Sequence, residues 1–171
     1  SYMFSYAKLF DQDISNWDTS SVTNMYSMFA YTDVFNYSIN NWDTSKVTNM
    51  FGMFRGSMYN NNISNWNTSS VTDMSYMFSG NYGYTGGLFN QDISTKQVIS
   101  NGSDYTAWDT SKVTSMHRMF YYNTGFDNDI GNWNTSSVTS MNGIFDNATF
   151  NGNIGNWDTS KVTAMANMFN N

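Results

Sequence analysis

The stretch FDQDISNWDTSSVTNMYSMF, running from Phe10 to Phe29, recurs six times with small changes along this 171-residue chain. Its tryptophans are Trp17, Trp42, Trp66, Trp108, Trp133 and Trp157, separated by 25, 24, 42, 25 and 24 residues. Seven apolar positions return in each unit: Phe10, Ile14, Trp17, Val22, Met25, Met28 and Phe29, or their equivalents. A fixed period of this length marks a repeat array. One unit is too small to bury seven apolar groups alone, so neighbouring units must bury one another's in columns.

Within the unit, Val22, Met25, Met28 and Phe29 stand at i, i+3, i+6 and i+7, the spacing of one face of a short helix. Asp18 or Ser20 occupies the place of its N-cap. Val and Thr are weak helix formers, which limits the element to about two turns. The segment from Ile14 to Trp17 reads as a short parallel strand. The expectation is an α/β repeat solenoid, leucine-rich-repeat-like, with one short parallel strand and one short helical turn per coil of about 24 residues. Residues 1–171 are expected to form a single solenoid fragment of six repeats after a partial N-terminal one. Ser1–Phe4 matches the tail of a preceding unit, and neither end carries a polar cap, so the segment reads as the middle of a longer array.

The phrase WDTS-x-VT-x-M-x-x-MF, together with FNQDIS at Phe89–Ser94, resembles the BspA-like leucine-rich-repeat surface proteins. More narrowly, it is similar to the mycoplasma-type repeat of about 25 residues of unknown function. The resemblance covers nearly the whole chain outside two insertions. It implies a solenoid in which Phe, Met, Ile and Val replace the usual Leu. It also implies an extracellular or cell-surface location and a role in adhesion or binding.

Composition narrows the chemistry. The chain has no Cys, no Pro and no Glu, so its thirteen acidic residues are all Asp. Without Cys there are no disulfides, thiolate nucleophiles or cysteine-ligated zinc. A net charge of −6 argues against nucleic acid. No apolar run is long enough to span a bilayer. His117, the single histidine, reads as a plain surface residue, and a Ser–His–Asp triad would have to recruit repeat filler. Met columns could suggest copper thioether ligation, but Met at core spacing is packing material. No catalytic, cofactor or metal residues are assigned.

Two features break the pattern, both in the 42-residue unit. Insertions at 79–88 and 94–107 are expected to emerge as loops at the two ends of one strand, where recognition elements concentrate. Tyr82, Tyr84 and Tyr105 are the candidate partner-binding residues, supplying flat amphipathic contact surface as paratope tyrosines do; the alternative is that the insertions fold back over the solenoid. Asn101, Asn67 and Asn134 head Asn-x-Ser/Thr sequons and are candidate glycosylation sites. At Trp+1 and Trp+4, Asp pairs with Lys and Asn with Ser from the second unit onward, an alternation read as relieving charge repulsion along the stack.

These features point first to a non-enzymatic surface protein acting in adhesion or protein binding, with a protein or cell-surface ligand. The alternative is a structural filament, stalk or sheath that self-associates into a fibre. A third reading is ice binding by the threonine columns headed by Thr19 and Thr23, set against the expectation that those hydroxyls bond the backbone.

Overall fold

The computed structural model describes residues 1–83, 87–99 and 103–170. Among them there is no helix, and the two strands, β1 (Lys96–Val98) and β2 (Tyr105–Ala107), form an antiparallel pair. The fold is all-β in character rather than α/β. Parallel pairing is confined to single-residue bridges that pass from Asn24 to Asn49, Asp73, Ser115, Ser140 and Ala164. The expectation of a helical turn and a parallel strand in each coil is therefore corrected on both counts.

The physical reason lies in the turns. From Met25 to Thr32, alternate residues donate in two directions. Met28, Ala30 and Thr32 donate N–H groups three residues back, to Met25, Ser27 and Phe29. Met25, Ser27, Phe29 and Tyr31 donate instead to the next coil, at Asn49, Phe51, Met53 and Arg55, over 2.8–2.9 Å. A helix would send every N–H four residues back. Here Ser27 and Tyr31 have φ of 48° and 58°. Equivalents along the stack repeat this, as Gly52, Tyr76, Arg118 and Gly143 at the first position and Gly56, Tyr122 and Asn147 at the second. A left-handed residue at the third place of a four-residue turn ends right-handed helix growth.

The segment expected to be a strand is likewise a turn, with Trp17 N–H donating to the Ile14 carbonyl at 3.1 Å. Asp18 caps no helix: its Oδ1 accepts the Ser20 N–H at 3.0 Å, closing a local Asx turn. The same device recurs just before Ile, as Asp13 with Ser15, and just before the first Met, as Asn24 with Tyr26. A carboxylate or amide on one methylene makes this closure, and the longer Glu side chain does not. That accounts for Asp at the recurring acidic positions, such as Asp13, Asp18, Asp43 and Asp158.

Side chains extend the ladder along the stack. Phe29, Phe54, Phe78, Phe120 and Phe145 stack with ring centroids 5.6–5.9 Å apart. Trp66, Trp108, Trp133 and Trp157 follow at 6.3–6.5 Å. Offset stacking of this kind contributes about 0.5–1.5 kcal/mol per pair beyond burial. Each indole N–H from Trp42 onward also donates to the Ile carbonyl of the coil before, at 2.9–3.1 Å. The indole thus fills space and satisfies a buried acceptor at once.

Threonine hydroxyls close the remaining gaps. Thr44, Thr68, Thr110 and Thr135 are buried and donate to the Trp+1 carbonyl of the next coil. The exposed column of Thr48, Thr72, Thr114, Thr139 and Thr163 donates to the carbonyl of the threonine one coil earlier. The hydroxyls of both columns thus donate to backbone carbonyls, as expected of threonines beside a turn.

Candidate functional site

Five units join Ile to Trp by two residues, closing the turn just described. In the fourth, twelve further residues intervene between Ile93 and Trp108. They leave the coil through Thr95, whose hydroxyl donates to the Trp108 carbonyl at 2.9 Å. Asn132 of the next coil clasps the same residue from both sides, accepting the Thr95 N–H and donating to its carbonyl at 2.9 Å. The chain then runs through β1, returns through β2 and re-enters the coil at Trp108, with φ of 50°. There the backbone N–H donates to Trp66 of the preceding coil instead of closing the usual turn.

The hairpin folds back against the stack. Val98 and Tyr105 pack on the core, and the Tyr105 hydroxyl donates to the Asn65 carbonyl at 2.6 Å. Burial, followed by the nearby Asp43 charge, raises the Tyr105 phenol above its ordinary pKa. Tyr105 is therefore an anchor first and a contact surface second. The fold-back produces a groove of about 570 Å³ between β2 and the second and third coils. Asn40, Asn41, Asp43 and Asn67 line one side, with Asp104 and Tyr105 on the other. Asp43 lies below the ordinary carboxylate range because the Ser45 hydroxyl and N–H hold it, with Lys46 adding to the effect. The groove is thus lined by amides, carboxylates, hydroxyls and the aromatic Trp42 and Tyr105, with no Lys or Arg among its lining residues.

Of the other tyrosines singled out in the sequence, Tyr82 is 76% exposed and meets Tyr122 edge to face at 5.7 Å. Tyr82 does not line the groove. Tyr84 and Asn101 lie outside the described residues. Asn134 is exposed and Asn67 half-buried, and in both the Oδ1 accepts an N–H two residues on, at Ser136 and Ser69. The Trp+4 lysines make no ion pair with the Trp+1 aspartates among the described residues. Their influence is longer-range and small: Lys46 helps lower Asp18 and Asp43, and Lys161 helps lower Asp158, in each case behind the hydroxyl and N–H of the serine two residues on. Residues missed in the sequence are Asn40, Asn41 and Asp104. The twelve-residue insertion marks the neighbourhood of Asp104, whereas nothing local distinguishes Asn40 and Asn41 from the many other Asn residues of the chain.

His117 is half-buried, and its Nε2 lies 3.1 Å from the Tyr76 hydroxyl. Burial and then the Arg118 charge lower its pKa. Among the described residues no group of three or more His, Cys, Asp or Glu side chains is placed to hold a metal ion, and no helix is long and apolar enough to cross a membrane.

The family described as Mycoplasma protein of unknown function, DUF285, matches residues 1–95 and again residues 93–171. The chain belongs to this family. The two DUF285 matches meet inside the fourth unit, at the residues where the hairpin departs, so the inserted segment falls where one stretch of family pattern gives way to the next. No curated protein and no solved structure matches the chain.

Proposed function

We propose that this DUF285 chain is a non-enzymatic binding protein of the cell surface, acting in adhesion or protein binding, with the hairpin groove as its recognition site. The observation that carries the reading is local. Of the two insertions that interrupt the repeated surface, the one between Ile93 and Trp108 is folded back and held by specific hydrogen bonds, and it lines a groove against the second and third coils. Recognition elements concentrate in such loops on rigid scaffolds. The finer kinship, with the BspA-like surface proteins, and the extracellular location that goes with it belong to this proposal.

The test is an excision. Removing residues 95–106 restores the Ile-x-x-Trp spacing of the other five units. Screened against extracellular-matrix and cell-surface proteins, the parent chain is expected to bind a partner that the excised variant loses. Equal binding by both would remove the groove from the function. The second reading, a stalk or sheath component, is favoured by the hydrogen-bond ladder that runs through every coil along one axis. It predicts no partner for either form.

A further inference from the structure

A second surface, built from other residues, carries a different chemistry. The turns between the two Met positions and after the second bring together both arginines and the one histidine of the chain. The Arg55 guanidinium lies over the Tyr76 ring at 4.7 Å and near Tyr31 at 5.8 Å. The Tyr76 hydroxyl then meets His117 at 3.1 Å and Arg118 at 3.5 Å. Arg118 lies over Tyr121 at 4.7 Å, and Tyr121 continues edge to face into Tyr122 and, beyond it, the exposed Tyr82. One unbroken cluster of cations and phenol rings thus crosses the second, third and fourth coils.

Its electrostatics are unusual for this molecule. The chain carries thirteen carboxylates against seven Lys and Arg, yet neither arginine has an ion pair among the described residues. Asp73, whose charge reaches His117, is engaged in accepting the Ser75 N–H at 2.8 Å. Both guanidiniums rest on ring faces, which fixes their planes without neutralising them. Arg55 and Arg118 belong to coils two apart, whose backbones lie roughly 10 Å from each other along the stack, and both reach Tyr76 between them. A cleft of about 140 Å³ opens beside His117 and Arg118, with Asn142 and Asn167 on its walls.

We infer that this cluster binds an acidic polysaccharide. A sugar ring lies against the exposed Tyr82 at one end of the cluster, and carboxylate or sulfate groups along the polymer meet Arg55 and Arg118. Fixed, unpaired guanidiniums recognise planar or tetrahedral oxyanions, and phenol rings supply sequence-tolerant stacking. Because the hairpin groove shares no residue with this cluster, the inference stands or falls separately from the groove.

The experiment is surface plasmon resonance of the whole 171-residue chain over heparin (sulfated), hyaluronan (carboxylated) and dextran (neutral). The expected result is binding to at least one acidic polymer, weakened by salt, and none to dextran. The R55Q/R118Q variant is expected to lose about tenfold or more in affinity. A matched charge loss elsewhere, K46Q/K112Q, is expected to change it by less than about twofold. Should the glutamine pair fail to fold, R55K/R118K keeps the charge but loses the planar fork, and a several-fold weakening is expected. Equal loss in the lysine-to-glutamine control, no loss in either arginine variant, binding to dextran, or no binding to either acidic polymer would overturn the inference. Preference for a sulfated or phosphorylated peptide over both polymers would overturn it as well.

Discussion

The recurring Trp has both a hydrogen bond and a ring contact that explain its type, and substitutions separate the two roles. Trp66 is fully buried and donates to the Ile39 carbonyl at 3.0 Å. Trp66→Phe keeps much of the stacking but loses that bond, while the Ile39 carbonyl retains the Trp42 N–H at 3.1 Å, so the lost bond is expected to cost about 0.5–1.5 kcal/mol in urea unfolding. Tyr59 is the contrasting case, standing where five units have Phe. Its buried hydroxyl donates to no acceptor. Burial drives its pKa sharply upward. Tyr59→Phe is therefore expected to leave stability unchanged or raise it by about 1 kcal/mol, which the same unfolding measurement checks.

At the scale of the element, the governing unit is the turn with a left-handed third residue. Gly56 has φ of 62°, and a Cβ built there would lie 2.6 Å from the Tyr31 ring of the coil before. Gly56→Ala adds about 1–2 kcal/mol of backbone strain to that overlap, and a fall in the thermal midpoint is the expected reading. Gly52 and Gly143, recurring between the two Met positions, were the legible sign of this conformation, but Ser27, Tyr76 and Arg118 occupy the same place and hide it. The i, i+3, i+6, i+7 spacing imitates a helix because a run of four-residue turns returns apolar residues to one side at nearly the same intervals. The Asx turns were equally present as Asp-x-Ser and Asn-x-Ser, and that pattern also serves as a helix cap. The period and the shared burial of Phe, Ile, Trp, Val and Met were legible, since columns require only equivalence between units. The insertion at 94–107 was legible as a departure from the pattern, whereas the fold-back was left open because it depends on contacts to Asn65 and Asn132, distant in sequence.

Across the whole molecule, the coils are held by backbone ladders, ring columns and Asx turns that repeat from one end to the other. The carboxylates at Asp13, Asp18, Asp43 and Asp158 all lie below their ordinary pKa, held there by hydrogen bonds from the serine two residues on. A carboxylate with a depressed folded pKa contributes stability that is fully present above its unfolded value, about 3.9, and is lost as pH falls through the folded one. The stack is therefore expected to hold constant stability from neutral pH down to about 4 as far as these groups are concerned, then to weaken. Denaturant unfolding measured from pH 7 to 2 checks this; weakening that begins well above pH 5 would assign the acid sensitivity to other groups.

The claim on which the rest depends is that Met25 to Thr32 and its equivalents are stacked turns joined to the next coil, not helical turns closed on themselves. Through-hydrogen-bond NMR couplings between amide nitrogen and carbonyl carbon read this directly. Couplings from Met25 to Asn49, Ser27 to Phe51 and Phe29 to Met53 are predicted, with equivalents in the following coils. A coupling from the Phe29 amide to the Met25 carbonyl, four residues back in the same coil, would contradict it.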